Sequence, residues 1–188
     1  MINQEKLLTD KDYCEKIFRL FLKKKIIKED QLKAFKKYLD KSINNLEFAN
    51  YILEEHNHSL KEKLKNKKFY DWCITIYYYS LYHSALALVS KAGFESKNHL
   101  ATITALTLFY YHKKNILNKQ EIEFLLNSFP IKKEEISFII STKDLRERAS
   151  YGVESFEQKQ AENLRKQTVD FVNKCRGILE DAIPSLKK

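Results

Sequence analysis

Apolar residues recur at intervals of three and four along most of this chain, which is the spacing of one face of an α-helix. Only three glycines and two prolines occur in its 188 residues, so turns are few and helices long. The pattern predicts an all-α fold, an antiparallel helical bundle. No segment rich in Pro, Gly or Ser suggests a linker, so a single domain spanning residues 1–188 is expected.

The N-terminal part predicts two helical regions. The apolar residues from Lys11 to Leu22 lie on one side of a short amphipathic helix. A charged turn is expected from Lys23 to Glu29. From Asp30 to about Lys65 the spacing predicts one long helix, or two helices with a kink near residues 56–59.

The helix that begins near Tyr70 is apolar around almost its whole circumference, which places it in the middle of the bundle. It is expected to end at Gly93, a left-handed C-terminal cap. The helices expected after it run from Asn98 to His112, from Lys119 to Asn127, from Ile136 toward Arg148, and from Glu157 to Ala182.

Three cysteines, Cys14, Cys73 and Cys175, are widely spaced and form no CxxC pair. They indicate reduced thiols and a cytoplasmic protein. Cys73 and Cys175 fall on the apolar stripes of their helices, where a small buried hydrophobe is expected. No apolar run approaches the roughly 20 residues that span a bilayer, so no membrane association is expected.

The formal net charge of +9 favours a polyanionic partner such as RNA, because Lys and Arg attract phosphates whatever the sequence. Lysines scattered over solvated helix faces in a chain of biased composition are an equally good explanation. The charge alone does not choose between the two.

Common catalytic motifs are missing from the sequence. It contains no P-loop, no dinucleotide fingerprint and no GxSxG elbow. His56 and His58 are two residues apart and point to different faces of a helix, which argues against a shared zinc ion. Neither a metal nor a cofactor is therefore expected.

The segment from Arg146 to Tyr151 is the strongest candidate site. The rigid, permanently charged fork of arginine suits phosphate, so Arg146 would grip a phosphate near Tyr151. Alternatively, Arg146 pairs with Asp144 or another carboxylate and Tyr151 only packs its ring. Arg148 is either a second phosphate contact or a surface residue.

Two histidines, His83 and His99, are further candidates because each could supply an imidazole. His83 lies on the crowded central helix, where a hydrogen-bonded core histidine is the alternative. His99 begins the next helix, where a capping or packing role is as good an explanation.

The stretch DWCITIYYYSLYHSALALVSKAGFESKNHLATITAL resembles the central two helices of small stand-alone HEPN-superfamily proteins. An aromatic-rich helix, a Gly-aromatic turn and a Ser-Lys-x-His segment follow there in the same order. LRERASYGV resembles the arginine segment of that superfamily. The resemblance covers roughly residues 68–180 and implies a HEPN core over 67–184, preceded by an additional N-terminal helical part over 1–66.

The resemblance also implies a function. Related proteins bind RNA or nucleotides, and many work with a minimal nucleotidyltransferase as a toxin-antitoxin or regulatory pair. This chain would be the HEPN half, and a homodimer across the face that carries Arg146 and Tyr151 is expected. Arg146 and Arg148, together with His83 and His99, would then contact the RNA or nucleotide.

In the toxin branch, an arginine and a histidine from two subunits form a composite site that cleaves RNA without a metal. Arg146 matches that arginine, and Tyr151 stands in the histidine's place, so these two residues are the candidate catalytic pair. A tyrosine with a pKa near ~10 is a poor general base beside a histidine at ~6.5. One alternative is an altered but active metal-independent endoribonuclease, and another is a non-catalytic helical scaffold.

Overall fold

The protein is all-α, as its periodicity predicts. The computed structural model describes residues 2–31, 33–55, 63, 69–128 and 156–180. The α-helices in these ranges are α1 (Gln4–Thr9), α2 (Lys11–Lys23), α3 (Phe35–Glu55), α4 (Tyr70–Lys91), α5 (His99–Leu106), α6 (Lys119–Ser128) and α7 (Gln158–Glu180). A π-helical segment, Thr107–Lys113, continues α5. None of these helices has both the length and the apolar character needed to cross a membrane.

Helix α4 is the centre of the bundle, and its burial confirms the prediction made from its apolar circumference. Tyr77, Leu81 and Leu88 on this helix are fully buried. Helices α3 and α7 pack on α4. The Lys91 amino group lies 4.5 Å from the ring of Phe35, so the end of α4 meets the start of α3 and the two helices are antiparallel.

A pair of serines lets α3 and α4 approach closely at their crossing. The Ser42 hydroxyl donates to the backbone carbonyl of Ser80 at 2.8 Å, and the Ser80 hydroxyl donates to the carbonyl of Ser42 at the same distance. Both serines are fully buried. The two hydroxyl groups therefore have hydrogen-bond partners at a position that water does not reach.

The prediction of a charged turn from Lys23 to Glu29 is wrong for residues Ile27–Glu29, which form a β-strand. Strand β1 (Ile27–Glu29) pairs antiparallel with β2 (Phe94–Ser96), with Ile27 opposite Ser96 and Glu29 opposite Phe94. Ile27 is fully buried, whereas Lys28 and Glu29 are exposed. The strand forms because a partner almost 70 residues away supplies its hydrogen bonds, which local periodicity does not show.

The predicted helix ends that fall within the described residues are largely confirmed. The helix expected from Ile136 toward Arg148 and the kink expected near residues 56–59 lie outside those residues. Asp10 caps α2 by accepting from the Tyr13 amide, and Asn98 caps α5 by accepting from the Ala101 amide. Gly93 follows α4 with φ of +92°, the left-handed conformation expected there. The start of the second N-terminal helix is later than expected, at Phe35.

The cysteines also behave as predicted. Cys14, Cys73 and Cys175 are free thiols and all three are buried. Burial raises the pKa of the Cys73 thiol to about 11, so the thiol stays protonated near neutral pH. These side chains act as small core hydrophobes.

Candidate functional site

The start of α5 holds His99 against the central helix. The Asn98 cap begins α5 at His99, and the Lys97 amide donates to the Ile26 carbonyl, which ties this end of the helix to the residue that precedes β1. His99 Nε2 lies 2.5 Å from the hydroxyl oxygen of Tyr78 on α4. The imidazole is half-buried and its orientation is set by that hydrogen bond.

Tyr82 is the residue that joins the two candidate histidines. Its ring centroid lies 4.5 Å from that of His99 and 6.2 Å from that of His83. Tyr78, one helical turn earlier on α4, stacks its ring parallel to Tyr82 with an interplanar angle of 8°. We call the four rings of Tyr78, Tyr82, His83 and His99 the ring cluster.

His83 links the ring cluster to α3. Its Nδ1 lies 3.2 Å from the side-chain nitrogen of Asn45. Burial, and secondarily the charge of Lys41, lowers the pKa of His83 below its ordinary value, although a hydrogen bond to the Tyr79 backbone partly opposes this. The His83 imidazole is therefore neutral at pH 7, and it contributes hydrogen bonds and a ring face rather than a charge.

Tyr82 is a neutral phenol in this environment. Burial raises its pKa, and a hydrogen bond with Thr102 offsets only part of that effect. The Thr102 hydroxyl in turn lies 2.6 Å from the Ser96 hydroxyl on β2. Hydrogen bonds thus connect the Tyr82 side chain on α4 to Thr102 on α5 and, through it, to Ser96 on β2.

The structure brings two of the predicted site residues together and does not describe the others. The Tyr82 ring lies next to those of both His83 and His99, and both histidines are only partly buried. Arg146, Arg148 and Tyr151 lie outside the described residues. The homodimer expected across the face that carries Arg146 and Tyr151 remains a prediction.

Sequence reasoning missed the roles of Tyr78, Tyr82 and Asn45. In the sequence alone, the two tyrosines only widen the apolar surface of the helix that begins near Tyr70. Their spacing of four residues does place both rings on one side of α4. However, only the position of α5 shows that this side faces His99.

The chemistry available at the ring cluster is hydrogen bonding and stacking. Imidazole and phenol groups offer donors, acceptors and π faces, which suit a nucleobase or sugar. Lys41 on α3 is exposed and its charge acts on His83, and the exposed Lys97 lies two residues before His99 in the sequence. Lysine attracts phosphate. Among the residues that the structure describes, no three His, Cys, Asp or Glu side chains gather as metal ligands would.

The chain was also compared with known proteins. No model of a protein family matches its sequence, and the comparison with curated proteins finds no match either.

Proposed function

We propose that this protein is a HEPN-like helical protein that binds RNA or a nucleotide at the ring cluster. The observation that carries the proposal is that the Tyr82 ring lies next to the rings of both His83 and His99, so two histidines 16 residues apart in the sequence belong to one group of neighbouring rings. Stacking on aromatic rings supplies about 1–3 kcal/mol per base in single-stranded complexes. Lys41 and Lys97 would contact the phosphates.

The HEPN resemblance supports the same proposal from the sequence side. The motif stretch that suggested it contains all four rings of the cluster, from Tyr78 to His99. Arg146 and Arg148 would add phosphate contacts, because arginine binds phosphate through two parallel hydrogen bonds. In this proposal the protein works as the HEPN half of a pair with a minimal nucleotidyltransferase.

A binding titration tests the proposal. We expect fluorescence anisotropy to show that a labelled single-stranded RNA binds, with an affinity that falls steeply as salt rises. Duplex RNA and a nucleoside triphosphate serve as comparison ligands, which separates a single-strand site from a nucleotide site. His99→Ala should weaken binding by about tenfold, the loss expected from one stacking contact.

His112→Ala is the matched control. His112 is also half-buried, but its Nε2 bonds to the Leu7 carbonyl, away from the ring cluster. Arg146→Ala should likewise weaken binding more than Lys187→Ala. If His99→Ala and His112→Ala give the same affinity while both stay folded by circular dichroism, the ring cluster does not bind RNA.

A further inference from the structure

One end of the bundle carries most of the net charge of the protein. Residues 23–37, which lead from the end of α2 through β1 into α3, hold seven lysines and only two acids, Glu29 and Asp30. Residues 91–97, which lead from the end of α4 through β2 toward α5, hold two more lysines and one glutamate. These 22 residues therefore carry a net charge of +6, against +9 for the whole chain. We call the two segments together the basic end.

Backbone contacts bring the two segments of the basic end together. Strands β1 and β2 pair, and beside them the Lys97 amide donates to the Ile26 carbonyl. At the other end of the strand pair, the Asp30 amide donates to the Gly93 carbonyl at 2.9 Å. The Asp30 carboxylate also accepts from the Ser90 hydroxyl near the end of α4. The lysines of both segments therefore lie at the same end of the molecule.

The lysines of residues 23–37 face water. All seven are exposed, and no ion pair between two described residues involves any of them. Farther along α3 the charge reverses, since residues 44–55 hold three glutamates and no lysine or arginine. A biased composition that spread lysines evenly would not concentrate the charge in this way. The basic end is therefore a localised positive surface, of the kind that attracts a polyanion.

Two of these lysines have a backbone conformation that glycine adopts more easily. Lys25 has φ of +56° and Lys33 has φ of +47°. Lys25 closes α2, because its amide donates to the Leu22 carbonyl and the Ile26 amide donates to the Phe21 carbonyl. Glycine is the usual residue at this position of such a helix end. A lysine there costs some stability but keeps a positive charge at the basic end.

The basic end adjoins the ring cluster. Lys97 lies two residues before His99, and its amide bonds to Ile26, the residue after Lys25. An RNA strand whose bases stack on the ring cluster can therefore extend over these lysines. A single nucleotide is too short to contact both surfaces at once.

A polar polyanion fits the basic end better than a bilayer surface does. Helices that lie on membranes insert large apolar side chains between the headgroups. Within the part of the basic end that the structure describes, no large hydrophobic side chain is exposed. Nucleic acid needs no such insertion, because lysines contact its phosphates and aromatic rings stack on its bases.

We propose that the lysines of the basic end bind the phosphates of a single-stranded RNA whose bases stack on the ring cluster. The inference rests on the proposed function and narrows its ligand to an RNA strand, of the ~4–16 nucleotides that single-strand sites cover, rather than a mononucleotide. Each lysine that contacts a phosphate releases a counterion from the RNA. The affinity should therefore fall with salt in proportion to the number of these contacts.

RNA length tests the size of the ligand. Fluorescence anisotropy with labelled oligouridines of about 3 and about 12 nucleotides should show roughly hundredfold tighter binding of the longer strand. That ratio exceeds what the larger number of equivalent registers on the longer strand explains. Equal affinity per register would overturn the inference and leave the ring cluster as a nucleotide site.

Neutralising lysines tests where the phosphates bind. Lys24→Gln, Lys25→Gln and Lys28→Gln together should weaken binding of the longer RNA at least tenfold and reduce the slope of log affinity against log salt by about 2, at ~0.7 per contact. Binding of the shorter RNA should change little. The matched control makes the same change at three exposed lysines outside the basic end: Lys11, Lys159 and Lys166. Equal losses in the two triple variants would show that the charge acts diffusely and would overturn the inference.

Lys25→Gly separates binding from stability. Glycine removes the charge and suits the left-handed backbone, so we expect a higher midpoint of thermal unfolding together with about threefold weaker binding of the longer RNA. Lys25→Arg keeps the charge and should keep the wild-type affinity. A glycine variant that is more stable and binds as tightly as the wild type would refute the role given to Lys25.

His99→Ala distinguishes a failure of this inference from a failure of the proposed function. If His99→Ala weakens RNA binding while the triple lysine variant matches its control, the ring cluster binds RNA and the basic end does not. If no RNA binds, the proposed function fails and the inference fails with it. Vesicles of phosphatidylcholine with about one third phosphatidylserine are the membrane probe. Vesicle binding that the triple lysine variant loses, with RNA affinity unchanged, would assign the basic end to a membrane and reject the inference.

Discussion

Tyr78 and His99 share a 2.5 Å hydrogen bond that joins the buried side of α4 to the first residue of α5. Only 4% of the Tyr78 surface is exposed, so water has little access to its ring. This bond orients the imidazole of His99 beside Tyr82. The hydrogen bond from Tyr78 therefore fixes the orientation of His99, a residue that we propose for RNA binding.

Removing the Tyr78 hydroxyl should destabilise the protein. Tyr78→Phe leaves the half-buried imidazole of His99 without this partner, and we expect the free energy of unfolding to fall by about 1–2 kcal/mol. Urea denaturation followed by circular dichroism measures the loss. Tyr51→Phe, at a tyrosine 61% exposed on α3, is the control and should change stability by less than about 0.5 kcal/mol. Equal effects of the two substitutions would contradict the role given to the bond.

The serine pair between α3 and α4 should tolerate loss of a hydroxyl better than added volume. Ser80→Ala removes one of the reciprocal hydrogen bonds and should cost about 1 kcal/mol. Ser80→Leu adds a larger side chain where both serines are fully buried, and overpacking of this kind costs a further ~1–3 kcal/mol. Thermal and urea unfolding of the two variants should rank them in that order; a leucine variant as stable as the alanine variant would show that the helices can separate freely.

His83 should make the protein less stable as the pH falls. Its folded pKa is lowered by burial and by Lys41, so below pH ~6.5 the unfolded chain binds the proton more readily than the folded chain. The resulting loss of stability is absent at pH values above the pKa that His83 has in the unfolded chain. It grows as the pH falls through 6.5 toward 5. Unfolding free energies from pH 7.5 to 5 should therefore decline less in His83→Gln than in the wild type.

An NMR titration of the imidazole gives an independent check. His83 should titrate below the ordinary histidine range, and Lys41→Met should move its pKa upward by the smaller, electrostatic part of the shift. A His83 pKa at or above 6.5 would contradict both the proposed cause of the pKa shift and the predicted loss of stability at low pH.

The last prediction concerns RNA cleavage and rests on the HEPN resemblance. A protonated phenol at Tyr151 does not readily take a proton from a ribose 2′-hydroxyl, so we expect the wild-type chain to cleave RNA slowly or not at all. Tyr151→His should raise cleavage toward the ~10²–10⁴-fold that general-base catalysis supplies, provided Arg146 is present. The assay uses labelled RNA with EDTA and compares wild type, Tyr151→His and Tyr151→His with Arg146→Ala. Strong wild-type cleavage that survives Arg146→Ala would reject the mechanism.

Most of the helical architecture could be predicted from sequence because the signals are local. A helix repeats every 3.6 residues, so the apolar stripe of α2 and the apolar circumference of α4 are visible without knowing what packs on them. Caps are local too, since Asp10 and Asn98 bond to amides three residues ahead. The burial of Cys73 and Cys175 followed from their places on those stripes.

What the tertiary structure alone decided are the contacts between distant segments. The pairing of Ile27 with Ser96, the proximity of the Tyr82 and His99 rings, and the contact between Asn45 and His83 all join residues from different elements. Periodicity states which side of a helix is apolar but not which helix faces it. Three tyrosines on one helix thus differ in burial: the ring of Tyr78 is buried, that of Tyr79 is exposed and that of Tyr82 is half-buried. Their surroundings differ because other helices pack on only part of α4.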